Sequence, residues 1–209
     1  MAEFAECGTV HHLVYTVRQR AHRLQDGLVW HLLLQVCHGL KKVHDSGLAH
    51  RALKTRNLLL FHETLYAHPY LKYRCKLTDL AIPELQRRQR LAQLDGSRLR
   101  YLAPEVLNQQ TPGDDKADIW ALGCVLFELV TLSHAFNATS AILTAEHQPL
   151  PDHVSPDLRE LIASMLQLEP SRRPSVDELL RSPCLAQCAA EMPSAVLLEG
   201  SHAPAVYAQ

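Results

Sequence analysis

Five short polar motifs along the chain carry residue types that proteins use for proton transfer and cation binding. In chain order they are His50-Arg51-Ala52-Leu53-Lys54-Thr55-Arg56-Asn57, Asp79-Leu80-Ala81, Ala103-Pro104-Glu105, Asp118-Ile119-Trp120-Ala121-Leu122-Gly123 and Pro170-Ser171-Arg172-Arg173-Pro174. They supply a histidine, carboxylates, a side-chain amide and several cations, which between them donate, accept or hold protons and charges. One such motif alone is a weak signal, whereas five in a fixed order are specific.

The histidines and cysteines raise the separate question of a metal site. The chain has 13 His and 6 Cys, but outside the five motifs the histidines show no zinc-type spacing with cysteine. Cys184 and Cys188 form an isolated C-x₃-C pair near an apparent helix end. The cysteines are too sparse for a disulfide framework, so we predict reduced thiols, most of them in the core.

Length and charge limit the classes of function. The chain has 209 residues, enough for one large domain or two small ones. Its 21 Lys plus Arg and 22 Asp plus Glu give a net charge of −1, which favours neither nucleic acid nor an anionic membrane as partner. No secretory signal and no apolar run of about 18 residues is present in the sequence. We therefore expect a cytoplasmic protein, without excluding the nucleus.

Hydrophobic periodicity predicts a mainly helical domain around one central helix. A helix from Gly27 should end at Gly47, and residues 58–60 and 75–80 are short enough to be strands or turns. Residues 116–131 are apolar on all sides, which is typical of a helix buried at a domain centre.

The remaining segments are helix starts, one basic stretch and a tail. Ser155-Pro156 predicts an N-cap followed by Pro at N1, and Ser175 with Glu178 predicts a capping box. Residues 84–100 carry a net charge of +3 and are predicted to form an exposed loop. Residues 187–209 lose all periodicity and are predicted to be a disordered tail.

The five motifs together resemble the C-terminal lobe of a eukaryotic protein kinase of the serine/threonine type. They match, in order, the catalytic loop H-R-D-L-K-x-x-N, the D-F-G, the A-P-E, the D-x-W-x-x-G of a buried helix, and a late arginine. The resemblance extends over residues 2–186 and has a NIMA-related character. It implies a hinge-like segment at residues 1–10 and a C-lobe at residues 11–186, mainly α with small β elements.

The departures from the family pattern matter as much as the matches. Ala52 stands where the family has the catalytic Asp, whose carboxylate accepts the proton of the substrate hydroxyl. Asp79-Leu80-Ala81 replaces D-F-G, and the Ala removes easy access to a positive φ. The Gly-rich loop, the phosphate-holding lysine and its glutamate partner have no counterparts, so we expect the N-lobe to be missing.

The resemblance also assigns roles to individual positions. Residues matching the nucleotide site are Glu3 and Ala5 of the hinge, Lys54, Asn57, Leu59 and Asp79, with Asn57 and Asp79 as the Mg²⁺ ligands. Residues expected to be structural are His50, Arg51, Leu80, Glu105, Asp118 and Arg173, with Glu105 and Arg173 as a buried ion pair. Ser97 is a candidate phosphorylation site whose phosphate would pair with Arg51.

Two hypotheses of different classes follow from this pattern. The first is a catalytically impaired, pseudokinase-like domain that acts as a protein-interaction or regulatory module, without a cofactor and with an unidentified protein partner. The alternative is an ATP-binding and Mg²⁺-binding serine/threonine kinase of which this chain is a fragment or isoform. Ala52 favours the first, and the retained Lys54, Asn57 and Asp79 favour the second.

Overall fold

The structure is a computed structural model that describes residues 5–62, 73–80, 96–110 and 113–191. Within these residues it contains nine α-helices, two short 3₁₀ turns and two strands, as predicted for a mainly helical domain. In chain order the elements are α1 (Val10–Gln19), α2 (Asp26–Asp45), a 3₁₀ turn (Thr55–Asn57), β1 (Leu58–His62), β2 (Tyr73–Leu77), α3 (Gly96–Leu99), α4 (Pro104–Leu107), α5 (Asp115–Thr131), α6 (Thr139–Thr144), α7 (Pro156–Met165), a second 3₁₀ turn (Pro170–Arg172), α8 (Val176–Arg181) and α9 (Pro183–Glu191).

Helix α5 forms the centre of the core, as its apolar sequence predicts. Asp114 caps its N-terminus by accepting hydrogen bonds from the backbone N–H groups of Lys116 and Ala117, at 3.0 and 3.2 Å. Trp120 is fully buried and stacks on Phe136 with ring centroids 5.4 Å apart. A Cβ on Gly123 would lie only 2.9 Å from a methyl carbon of Leu166. The glycine therefore allows the end of α7 to pack closely on α5.

Helix α2 packs against the small sheet. Strands β1 and β2 pair antiparallel with Leu60 opposite Cys75. Gln35 of α2 fastens the outer strand: its Nε2 donates to the Tyr73 carbonyl at 3.1 Å, and its Oε1 accepts from the Cys75 N–H at 2.7 Å. The helix ends as predicted, because Gly47 follows its C-cap with a φ of +75°.

The N-terminal segment lies along the inner strand. Cys7 N–H donates to the Leu60 carbonyl at 3.1 Å, and Leu60 N–H donates to the Gly8 carbonyl at 2.9 Å. Thr9 then caps α1 by accepting a hydrogen bond from the His12 N–H. Residues 7–9 thus extend the two-stranded sheet by one short bridge.

Two boundaries and one capping hydrogen bond differ from the sequence-based predictions. Strand β2 begins at Tyr73 and ends at Leu77, so it does not extend to residue 80. Ser155 and Pro156 occupy the predicted N-cap and N1 positions of α7, but the Ser155 side chain makes no capping hydrogen bond. Helix α9 continues through residues 187–191, which were predicted to be disordered, because Leu185 and Cys188 bury its inner face in the core.

Other predicted features are placed by the structure or fall outside it. The capping box of Ser175 and Glu178 is present at the start of α8. Residues 192–209 of the predicted tail, and residues 84–95 of the basic stretch, lie outside the described residues. In the part of the chain that is described, no helix is long and apolar enough to cross a membrane. The described residues also contain no group of three or more His, Cys, Asp or Glu arranged to hold a metal ion.

Candidate functional site

The loop from His50 to Asn57 is fastened to the central helix through one carboxylate. Asp118 of α5 is 1% exposed and accepts hydrogen bonds from the backbone N–H groups of His50 at 2.6 Å and Arg51 at 2.7 Å. His44 Nε2 lies 2.9 Å from the same carboxylate. Arg51 has a φ of +61°, which turns two consecutive N–H groups toward Asp118. The loop therefore holds a strained turn against a buried anion.

Inside the loop, a second set of hydrogen bonds fixes the position of Ala52. Its N–H donates to Nδ1 of His50 at 3.3 Å, and its carbonyl accepts from Nδ2 of Asn57 at 2.8 Å. His50 is buried, and burial lowers the pKa of its ring, against the opposing effect of Asp118. The ring is therefore neutral near pH 7. Neither hydrogen bond of Ala52 involves its side chain.

Asp79 follows the outer strand and is connected to the same loop. The N–H of Thr78, the residue before Asp79, donates to the carbonyl of Asn57 in the loop at 3.0 Å. Asp79 is exposed and has a φ of +60°. A left-handed conformation costs an ordinary L-residue about 1–2 kcal/mol. The sheet and the loop lead the backbone into this conformation at Asp79.

The predicted nucleotide-site residues near the hinge are only partly described. Glu3 lies outside the described residues. Ala5 is half-buried, and its carbonyl accepts from the Gly8 N–H at 3.1 Å. Leu59 is half-buried in β1 and bridges to Thr9, and Leu80 is 39% exposed. Lys54 is half-buried at the start of the 3₁₀ turn.

Glu105 and Arg173 form a buried, bidentate ion pair between α4 and the second 3₁₀ turn. The two guanidinium nitrogens lie 2.7 and 2.8 Å from the two carboxylate oxygens, and Arg173 is 1% exposed. The remaining N–H groups donate to three backbone carbonyls, those of Lys116, Gln167 and Leu168. All five donors of the guanidinium are thus used, and its centre lies 5.1 Å above the Trp120 ring.

Comparison with known proteins identifies the family. The sequence pattern of the family described as "Protein kinase domain" matches residues 1–185, which is most of the chain. The chain belongs to the protein kinase family. The loop tied to Asp118, the strained Asp79 and the Glu105–Arg173 pair are therefore parts of a protein kinase domain.

Similar proteins include several Nek kinases. The chain is 40% identical over 160 residues to the probable serine/threonine-protein kinase nek3 of Dictyostelium discoideum, covering 73% of this chain and 14% of the relative. It is 34% identical over 185 residues to serine/threonine-protein kinase Nek8 of Danio rerio, covering 85% and 25%. Matches of this kind confirm the predicted NIMA-related character. The chain spans a quarter or less of the length of these two relatives.

In this kinase domain, Arg51 and Arg98 make contacts around the turn at Asp118. Arg51 Nε donates to the Gly113 carbonyl at 2.8 Å, and Arg98 Nη2 donates to the Arg51 carbonyl at 3.3 Å. Ser97, the predicted partner of Arg51 after phosphorylation, has a side chain outside the described residues. The phosphorylation of Ser97 thus stays a prediction.

The motif analysis missed a cluster around Glu128 on the central helix of the kinase domain. Glu128 is 3% exposed; Tyr101 donates a short hydrogen bond to it, and the Thr55 hydroxyl lies 3.3 Å from its carboxylate. His11 and His134 lie within 3.8 Å of it. Burial raises the pKa of Glu128, but the hydrogen bond from Tyr101 and the neighbouring His134 and His11 lower it overall. The signal in the sequence was a single carboxylate within the apolar second half of this helix.

Proposed function

We propose that this protein kinase domain is catalytically impaired and acts as a protein-interaction or regulatory module. The observation that carries the proposal is the methyl group of Ala52. In the family this position holds the Asp that accepts the proton of the substrate hydroxyl. A methyl group accepts no proton, and loss of a general base lowers a rate by about 10²–10⁴-fold.

Among the described residues, the titratable side chain that contacts the Ala52 backbone is poorly placed to replace the missing carboxylate. His50 is the titratable side chain hydrogen-bonded to the Ala52 backbone, but it is buried and its Nδ1 already accepts the Ala52 N–H. A general base must reach the proton that it removes, within hydrogen-bonding distance or through one water molecule. This proposal makes the natural ligand a protein, bound in the cytoplasm or the nucleus.

The alternative is an active, ATP-binding serine/threonine kinase of which this chain forms a part. The backbone conformation of Asp79 favours it, because non-glycine residues in the left-handed region cluster at functional sites. Asn57 uses its amide nitrogen on Ala52, which leaves its oxygen as a possible ligand. That oxygen and the exposed Asp79 carboxylate fit Mg²⁺, which would neutralise nucleotide phosphates, and Lys54 would contact the phosphate.

A phosphotransfer assay separates the two proposals. The 209-residue chain is incubated with Mg²⁺, radiolabelled ATP and generic protein substrates. A control chain carries Lys54→Ala with Asp79→Ala. We expect no transfer above the control, because the base is absent. Transfer that exceeds the control would refute catalytic impairment and support the kinase alternative.

Nucleotide binding is measured separately from catalysis. A ligand present at 100 times its Kd stabilises a protein by about 2.7 kcal/mol, which raises the melting temperature measurably. We expect little or no shift with Mg-ATP. A clear shift that Asp79→Asn abolishes would show that the nucleotide site functions, and it would favour the alternative.

A further inference from the structure

A small cavity beside the catalytic-type loop is lined by an unusual number of cations. It encloses about 210 Å³ and lies between α1, the 3₁₀ turn, the segment before α4 and the segment after α5. Three permanently charged side chains and two histidines line it: Lys54, Arg56, Arg100, His11 and His134. The described residues that line the cavity include no carboxylate. The remaining lining residues, Thr55 and Tyr101, contribute hydroxyl groups.

The carboxylate of Glu128 lies beneath this cavity and is already satisfied. It is 3% exposed and is hydrogen-bonded to the hydroxyl groups of Tyr101 and Thr55. Its single negative charge is fewer than the two positive charges of Arg56 and Arg100, so these residues leave the cavity positively charged.

The pKa of His11, which also lines the cavity, is lowered mainly by burial and in part by its charged neighbours. Burial lowers the pKa of the His11 ring, and the charge of Arg56 lowers it further, with a smaller contribution from His134. Glu128 opposes these effects without reversing them. An anion entering the cavity would relieve the repulsion among these cations.

We propose that this cavity, between the loop at Lys54–Arg56 and Arg100, binds a phosphorylated side chain of a protein partner. A phosphoserine carries a charge of about −1.5 to −2 at pH 7 and three acceptor oxygens, so it offers the two arginines and the lining hydroxyl groups more charge and more acceptors than a single carboxylate does. Arginine binds phosphate through two parallel hydrogen bonds, and two arginines line this site.

The identity of the partner as a protein rests on the proposed function. The cavity adjoins the loop at which a kinase domain meets its protein substrate, so a bound peptide has access to both. The inference deepens the proposed function by naming the chemistry of the partner. It does not depend on whether the domain transfers phosphate.

Fluorescence anisotropy on the 209-residue chain tests the proposal. The probe is a pool of short labelled peptides with random flanks around one central phosphoserine. Three comparisons accompany this probe: the same pool with serine in place of phosphoserine, the pool with aspartate, and inorganic phosphate as a competitor. We expect the phosphoserine pool to bind at least about tenfold more tightly than the serine pool, and binding to weaken as salt rises.

Arginine variants assign the binding to the cavity. Arg56→Gln and Arg100→Gln should each weaken binding of the phosphoserine pool by about tenfold or more. Arg181→Gln is the matched control, because this exposed arginine ends α8, which packs on α2 and α9 away from the cavity. It should leave binding unchanged. Circular dichroism checks that all three variants fold.

Four results would overturn the proposal. Equal binding of the phosphoserine and serine pools would remove the phosphate requirement, and unchanged binding in both cavity variants would place the site elsewhere. Binding of the aspartate pool as tight as that of the phosphoserine pool would indicate an acidic rather than a phosphorylated partner. Inorganic phosphate binding as tightly as the peptides would indicate a site for the free anion. Phosphotransfer by the chain would refute the proposed function and leave this inference standing.

Discussion

Removing the guanidinium of Arg173 should be among the most destabilising single changes in this domain. Arg173→Ala leaves Glu105 as a buried carboxylate, 6% exposed, without its bidentate partner, and it leaves three backbone carbonyls without their donors. Breaking a buried pair by deleting one partner costs about 3–5 kcal/mol. Typical domains have only about 5–15 kcal/mol of stability in total. We therefore expect Arg173→Ala to remove a large fraction of the free energy of unfolding, about 3–5 kcal/mol.

Urea denaturation followed by circular dichroism measures this loss. Arg172→Ala is the matched control, since the preceding arginine is exposed and should cost little. Lys54→Ala should also leave stability nearly unchanged. A double variant with Glu105→Gln and Arg173→Met should recover part of the loss, because it removes the uncompensated charge. If Arg173→Ala costs no more than Arg172→Ala or Lys54→Ala, the assignment of this pair to the scaffold is wrong.

Two further predictions concern acid stability and packing. Burial holds the pKa of His50 below 6.5, and Glu128 has a pKa below 4.5, so each group stabilises the fold above its ordinary pKa and loses that contribution as the pH falls. The urea midpoint should decline as the pH falls below about 6.5, and decline again below about pH 4.5. Glu128→Gln should reduce the second decline. A midpoint that does not change with pH would contradict both assignments. Gly123→Ala should lower the melting temperature, because the added methyl group crowds Leu166. Such overpacking costs about 1–3 kcal/mol, whereas the better helix propensity of alanine contributes roughly 1 kcal/mol. A higher melting temperature would show that Leu166 moves aside freely.

The helical framework could be predicted from the sequence because its signals are local. Helix α2, the central α5 and the capping box of α8 depend on residues within a few turns of each other. The position of β2 and the end of α9 were misjudged, since both are set by contacts with distant elements. Gln35 fastens β2 from a separate helix, and Leu185 anchors α9 in the core.

The site could be predicted as a set of motifs but not as a set of contacts. The resemblance to kinases supplied Asp118 and the Glu105–Arg173 pair as candidates, because motif order survives in a single sequence. Glu128 was missed because its partners Thr55, Tyr101 and His11 lie in three other segments of the chain. The sequence close to Glu128 gives no sign of these contacts. Long-range clusters of this kind become visible only when the fold places them together.

The contacts at Ala52 explain how the loop can keep its shape with an alanine where the family has a proton-accepting aspartate. The loop is held by the N–H groups of His50, Arg51 and Ala52, by the Ala52 carbonyl and by the side chains of Asn57 and Asp118. All the Ala52 contacts in this set are made by its backbone, so the identity of its side chain has little influence on the shape of the loop. Fold and chemistry are therefore separable at this position. The proposed function relies on this separation, because a chain that binds a partner through the loop and its neighbouring cavity would keep that surface after losing the reaction.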